Sequence, residues 1–443
     1  MASWGGAVSR RAARIAGVDA CEVLDSRGRP TVFCEVTLAD GTRGAASVPS
    51  GASTGGHERY ELRDGGERYD GRGVRRAVAN VVDVLAPVVT GLRAADQEEV
   101  DAALLGAEST PALSRLGANA VLSVSIATAL AAARSLGCPL YRHLAEALDV
   151  EPLLPLPMVN VLSGGAHAGG CLDVQDFLVV PVAAESFAEA IEWCARVREA
   201  TGRLASRGGH QSALVADEGG LGLALSSNRA ALELLLAGIE DAGLKPGEEM
   251  AIAIDVAATQ LATGSGYRLR TEQRSLSAAE WVAELDLWRQ QFPIVSIEDP
   301  LAEDDWDGWR ASTSTFGDEL QLLGDDLFAT DVERLDMAIA RGVANAVLVK
   351  VNQIGTLSGA RTFVERARST GYATVISARS GETEDCWLAD LAVGWAAGQI
   401  KVGSTTRSER TAKWNRLLRI EHALGCSARF AGRAAIARSS RSG

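Results

Sequence analysis

Six charged residues stand at the ends of short apolar runs. Asp255, Glu298, Asp325 and Lys350 close the runs 251–255, 294–298, 321–325 and 346–350; Lys401 lies within 399–402, and Arg379 directly follows 374–378. One acid at the end of a strand reads most simply as a cap on the following helix, whereas three on successive runs read as a cation site. No cysteine or histidine set accompanies them, and an all-carboxylate site suits magnesium, which keeps positions open for water and substrate oxygens. Lys350 and Lys401 follow apolar residues, so both are expected to be buried. Cations around Lys350 would lower its pKa and leave part of it neutral, as a general base requires. The chemistry this suits is proton removal by a general base beside a divalent cation, where new negative charge needs cations close by.

Two loops add candidates. Ser50-Gly51-Ala52-Ser53-Thr54-Gly55 follows a strand and reads either as a flexible turn or as a lid. The run 164–170 exposes one histidine, His167, between glycine pairs.

These residues are far apart in sequence, so the elements must bring them together. Eight apolar runs (158–162, 177–180, 251–255, 294–298, 321–325, 346–350, 374–378 and 399–402) alternate with helix-length amphipathic stretches. In a β/α barrel the C-terminal strand ends converge on one mouth. An open doubly wound sheet is the rival, but no G-x-G-x-x-G follows the first run. The expected fold class is therefore α/β, an eight-stranded β/α barrel over 151–443 that begins after the proline-rich segment 151–157. Residues 1–150 form a smaller α+β domain. There Val32, Cys34, Val36 and Leu38 alternate into Asp40-Gly41 as a strand entering a hairpin, and 119–136 reads as a helix stopped by Gly137-Cys138-Pro139. Residues 1–11 read as a frayed tail.

The chain has 443 residues, 47% of them hydrophobic, enough for two or three cores. Its 57 acidic and 44 basic side chains give a net charge of -13, which argues against nucleic acid or anionic membrane as a partner. The most apolar stretch, 121–133, is interrupted by serines and a threonine and reads as a buried helix, not a membrane span. Seven scattered cysteines without a C-x-x-C pair indicate neither a disulfide framework nor a zinc site, and a cytoplasmic location is expected.

Longer motifs then spell a family. S-I-E-D-P (296–300), G-D-D-L (324–327), K-V-N-Q-I-G-T (350–356), R-S-G-E-T-E-D (379–385), D-S-R-G-R-P-T (25–31), S-G-A-S-T-G (50–55), H-A-G-G (167–170) and D-E-G-G (217–220) resemble the enolase family, in order, from about residue 12 to 432. The resemblance implies an enolase-type barrel with an N-terminal capping domain. It implies a structural magnesium on Asp255, Glu298 and Asp325, and a second magnesium arriving with substrate and reaching the Ser53 loop. It makes Lys350 the base that takes the α-proton and Glu218 the acid that expels the C3 hydroxyl. Lys401 would hold the substrate carboxylate, Arg379 and Ser380 its phosphate, and His167 would close over the site. Gln175 would contact substrate and Asp176 join the catalytic groups. A homodimer is also expected.

The sequence departs from the family where the hydroxyl would leave. Asp176 stands where enolases carry glutamate and Ala378 where they carry histidine; Ser163, Ala166, Gln260 and Val402 are smaller changes for asparagine, serine, glutamate and threonine. Three functions follow as expectations. One is dehydration of 2-phosphoglycerate to phosphoenolpyruvate. Another is a homologue in phosphonate natural-product biosynthesis, of the carboxyphosphonoenolpyruvate synthase type. The third is a non-catalytic scaffold. The first two share a small anionic substrate bearing a carboxylate and a phosphate or phosphonate.

Overall fold

A computed structural model describes residues 13–52, 55–264 and 266–437. Residues 1–12, where the frayed tail was expected, and Ser53 lie outside the described residues.

The chain opens with an antiparallel sheet of β1 (Ile15–Leu24), β2 (Pro30–Leu38) and β3 (Arg43–Ser47), in that spatial order. Val32, Cys34, Val36 and Leu38 all point into the core, as period-two alternation requires. Against this sheet lies the helix Ala118–Ser135, which is alanine-rich and buried almost all round. Gly44 on β3 makes the close approach possible: a Cβ there would lie 2.2 Å from the Ala131 nitrogen. By length and composition this helix could cross a membrane, but 83% of it is buried within the protein.

The strands β4 (Leu156–Ser163), β5 (Asp176–Val180), β7 (Ala251–Asp255), β11 (Ile294–Glu298), β12 (Gln321–Gly324), β13 (Ala346–Val349), β14 (Ala373–Ser377) and β15 (Gly398–Gly403) form a barrel, with β15 closing onto β4. The two-residue strand β6 (Leu221–Gly222) adds to β4, and β8 (Ala262–Thr263), β9 (Gly266–Leu269) and β10 (Arg274–Leu276) make a separate small sheet. All eight expected runs are barrel strands.

Their connections need one correction. No α-helix joins β4 to β5, and β5 runs antiparallel to both its neighbours. The intervening glycine-rich segment 164–175 holds only the short turn Gly165–Ala168 and not the helix that usually carries a crossover to a parallel strand. As a result β5 presents its first residue, Asp176, at the mouth where β7 presents its last, Asp255.

Leu156, Met158, Leu178, Ala251, Ala253, Leu323, Ala346, Leu348 and Val375 form one buried apolar cluster, which Ile436 of the C-terminal segment joins. At the strand starts, opposite the mouth, the side chains of Gln321 and Gln399 exchange hydrogen bonds of 3.0 and 2.8 Å. They also bind the backbone at Ala437 and Ala435, so the C-terminal segment stops that end. The seven cysteines are free thiols.

Candidate active site

Each strand-end charge arrives at one mouth. Asp255 and Glu298 end β7 and β11, Asp325 and Lys350 fall one residue past β12 and β13, and Lys401 sits within β15. The Lys401 ammonium donates to Asp255 Oδ2 and Glu298 Oε2, both at 2.7 Å. Gln175 Nε2 also donates to Asp255 Oδ2, at 3.1 Å, and its own carbonyl accepts from Gln260. Lys350 Nζ donates to Asp325 Oδ2, and Gln353 Nε2 donates to Asp325 Oδ1 at 3.1 Å.

Burial makes these charges strong determinants of one another. It raises the Glu298 carboxyl well above the usual range, with Asp255 and Asp325 adding to the effect and Lys401 opposing it. Burial alone would raise Asp255 too, but Lys401 reverses the shift and lowers it. Lys350 corrects the sequence-based expectation of a lowered pKa: burial pulls it down, yet pairing with Asp325 prevails and raises it.

The carboxylates suit a divalent cation. Glu298 Oε1 is buried and has no hydrogen-bond partner in the structure, so it offers a lone pair in a low-dielectric pocket where an unsatisfied acceptor is costly. An all-oxygen donor set matches magnesium. The three acids do not form one tight cluster as they stand, because the Lys401 ammonium bridges the first two. Asp325 instead groups with Asp299 and Asp326, with oxygens within 4.8 Å of one another. Asp299 aligns this segment by accepting from the backbone N–H groups of Asp325 (2.9 Å) and Asp326 (2.8 Å).

On the other side of the mouth stands His167, in the short turn Gly165–Ala168. The expected exposed loop histidine is in fact buried, 8% exposed. Its Nδ1 lies 2.9 Å from Asp176 Oδ2 and its Nε2 3.8 Å from Glu218 Oε1. Burial would lower its pKa, but Asp176 and Glu218 outweigh that and push it up to about 9. Glu218 moves the other way. Burial would raise it, but His167, Arg410 and Lys401 hold it below the usual range.

Arg379 is buried and engaged. Its guanidinium donates to both carboxylate oxygens of Glu58, at 2.9 and 3.2 Å, tying the barrel to the loop that follows Gly55. Ser380 Oγ accepts from Arg27 Nη1 at 3.2 Å. The backbone carbonyls of Arg379, Ser380 and Val402 all accept from the guanidinium of Arg410, which is fully buried. A small polar cavity collects these groups: Ala52, His167, Gln175, Glu218, Asp255, Lys350, Ala378, Arg379, Ser380 and Lys401 all line it.

Several supporting residues escaped the strand-end logic. Glu58 and Asp299 are acids whose partners become neighbours only on folding. Arg410 lies within a helix and gives no pattern of its own. Gln353 and Asp299 do fall inside the K-V-N-Q-I-G-T and S-I-E-D-P motifs, and those positions were the available signal.

Comparison with protein families agrees with this architecture. Residues 15–144 match the family model described as "Enolase, N-terminal domain", and residues 151–439 match "Enolase, C-terminal TIM barrel domain".

Proposed function

We propose that this chain, which belongs to the enolase family, is a magnesium-dependent lyase that converts 2-phosphoglycerate to phosphoenolpyruvate. The observation that carries the reading is the cavity itself, where Lys350, Lys401 and Arg379 converge from three strand ends opposite His167 and Glu218. Such a cavity suits a small substrate with two anionic ends and a leaving group between them.

Asp255, Glu298 and Asp325 would hold one magnesium and the Ser53 loop would reach a second; these ions would supply positive charge against the charge that builds on the substrate carboxylate. Lys350 removes the α-proton. It can do so only after losing its own proton; burial, Arg379 and Lys401 favour that loss, and the pairing with Asp325 opposes it. Lys401 and Gln175 hold the carboxylate end. Arg379 and Ser380 hold the phosphate, with Glu58 keeping the guanidinium in place. His167 and Glu218 serve the departing hydroxyl, with Asp176 behind His167. The burial of nearly every group keeps water away from the developing charge.

A second reading is favoured by Ala378, whose methyl group lines the cavity in place of a hydrogen-bond donor. In that reading the chain is an enolase homologue acting on a phosphonate-bearing substrate. The free thiols fit a reducing, cytoplasmic setting, and a homodimer is kept as part of the proposal, to be checked by sedimentation.

The test mixes the protein with magnesium and 2-phosphoglycerate and follows the ultraviolet absorbance of phosphoenolpyruvate. Turnover of ~1 to 10³ per second that vanishes in Lys350→Ala supports the first reading. No turnover, with magnesium binding seen by calorimetry, shifts the assignment to the phosphonate substrate. No magnesium binding points to a scaffold.

A further inference from the structure

Arg410, Lys413 and Trp414 stand three and four residues apart on the helix Ser408–Leu424, so they share one face, and all three are buried. Two buried cations need partners, and loop backbone supplies most of them. Arg410 Nη1 donates to the carbonyls of Arg379 (2.7 Å) and Val402 (3.0 Å), and Nη2 to those of Ser380 (2.6 Å) and, more weakly, Asp217 (3.5 Å). Lys413 Nζ donates to the Thr383 carbonyl at 2.7 Å and pairs at 3.0 Å with Glu382, whose other oxygen accepts from the Arg379 N–H at 3.0 Å. Trp414 Nε1 donates to the Ser404 carbonyl at 2.9 Å, and the Ser404 N–H in turn donates to the Glu218 carbonyl at 2.8 Å.

The strand and the loop are shaped to meet this face. The pairing of β15 with β4 slips between Lys401 and Gly403, which makes Val402 the extra residue of a bulge, and its carbonyl goes to Arg410. At Gly403 a Cβ would lie 2.7 Å from the Glu218 carbonyl oxygen and 3.0 Å from Arg410 Cδ, so glycine lets strand, loop and guanidinium come together. The grip therefore falls on Arg379 and Ser380, on the residue after Lys401 and on the residue before Glu218. Arg410, Lys413 and Trp414 themselves do not line the cavity.

From this geometry we infer that Arg410, supported by Lys413 and Trp414, is a positioning residue: it fixes the span between Arg379–Ser380 at one anion-holding end and Lys401 at the other, and so selects a substrate by the distance between its two charged ends. The inference rests on the reading of the cavity as a site for a substrate with two anionic ends.

A guanidinium suits this task and an ammonium does not. Its planar fork sends donors in fixed directions, so carbonyls from separate segments are held at fixed separations; lysine would keep the charge on a flexible stem and lose the span. A shift of ~1 Å between groups that hold the two ends of a substrate costs ~10²-fold in rate. A ligand that uses only one end is spared that loss.

The test compares ligands with one charged end and with two. In the presence of magnesium, kcat/KM for 2-phosphoglycerate should fall ~10²-fold in Arg410→Lys, while the inhibition constant of inorganic phosphate stays close to the wild-type value. Without magnesium or ligand, hydrogen exchange should speed up at the amides of Gly219, Arg379 and Ser404, which donate to Ala216, Glu382 and Glu218, while the amides of β11 and β12 keep wild-type protection. Equal weakening of both ligands, or exchange that rises uniformly, would make Arg410 a general stabiliser and overturn the positioning role; so would a variant that matches the wild-type protein in both measurements. If Arg410→Lys does not fold, Trp414→Phe, which removes the hydrogen bond to Ser404, should show the same selective pattern at smaller size, and its absence there overturns the inference. If the wild-type protein neither turns over 2-phosphoglycerate nor is met by phosphate, the reading of the cavity fails, and the exchange measurement still decides whether Arg410 holds the three segments in place.

Discussion

His167 carries a pH dependence that stability measurements can read without any substrate. Its folded pKa of about 9 lies above the ordinary histidine value of ~6.5. Below ~6.5 both folded and unfolded chains hold the proton, and the full stabilisation is present. Between ~6.5 and about 9 only the folded chain holds it, so the contribution declines as pH rises through that window and is gone above it. Urea unfolding of the wild-type protein against His167→Gln, without magnesium, should show a difference that shrinks by up to ~3 kcal/mol from pH 6 to pH 9.5. A difference flat with pH would mean that the ring is neutral in the folded state. The same residue shows where sequence reading stopped. Glycines on either side suggested an exposed ring, and nothing nearby announced that Asp176 and Glu218 would enclose it. The strand-end acids and lysines were legible because an apolar run ending in a charge is a local pattern, whereas enclosure is not.

Among elements, the β3–helix contact in the N-terminal domain is a tight test of packing. At Gly44 an added methyl would meet helix backbone at 2.2 to 2.7 Å, and backbone cannot swing aside as a flexible side chain can. Gly44→Ala should therefore destabilise the protein by ~2–4 kcal/mol in denaturant unfolding, well beyond the effect of an exposed Gly→Ala. A change under 0.5 kcal/mol would show that the helix can back away. The eight barrel strands were legible from apolar runs, as was the hairpin from its alternation. The direction of β5 was not, because an apolar run reads alike either way. The usable clue was the connection: the residues between β4 and β5 are barely enough for a crossover and are rich in glycine, which disfavours a helix there. Reversal of that one strand puts Gln175 and Asp176 at the mouth, so it is a condition of the site and not a variation on it.

At the scale of the molecule, the two domains share the site. Ser50 and Gly381 exchange backbone hydrogen bonds of 2.8 and 2.9 Å, the Ser26 N–H donates to Glu382 O at 2.7 Å, and the Ser47 N–H donates to Asp385 at 2.6 Å. With the Glu58–Arg379 pair, these bonds make the capping domain part of the mouth. Eight of the nine tryptophans lie beyond residue 150, so fluorescence reports the barrel while far-ultraviolet circular dichroism reports the whole chain. The two unfolding curves should coincide in the wild-type protein, and Glu58→Gln should make the region around residue 58 exchange its amide hydrogens faster. Separate curves in the wild-type protein would show that the interface couples the domains only weakly. The closure of β15 onto β4 has a consequence for how the protein is made. Those strands stand at opposite ends of the barrel sequence, so during synthesis β4 waits with an open edge until residue 403 has left the ribosome. For most of its translation the nascent chain is thus an unsealed sheet, and pausing late in the message prolongs its exposure to wrong partners.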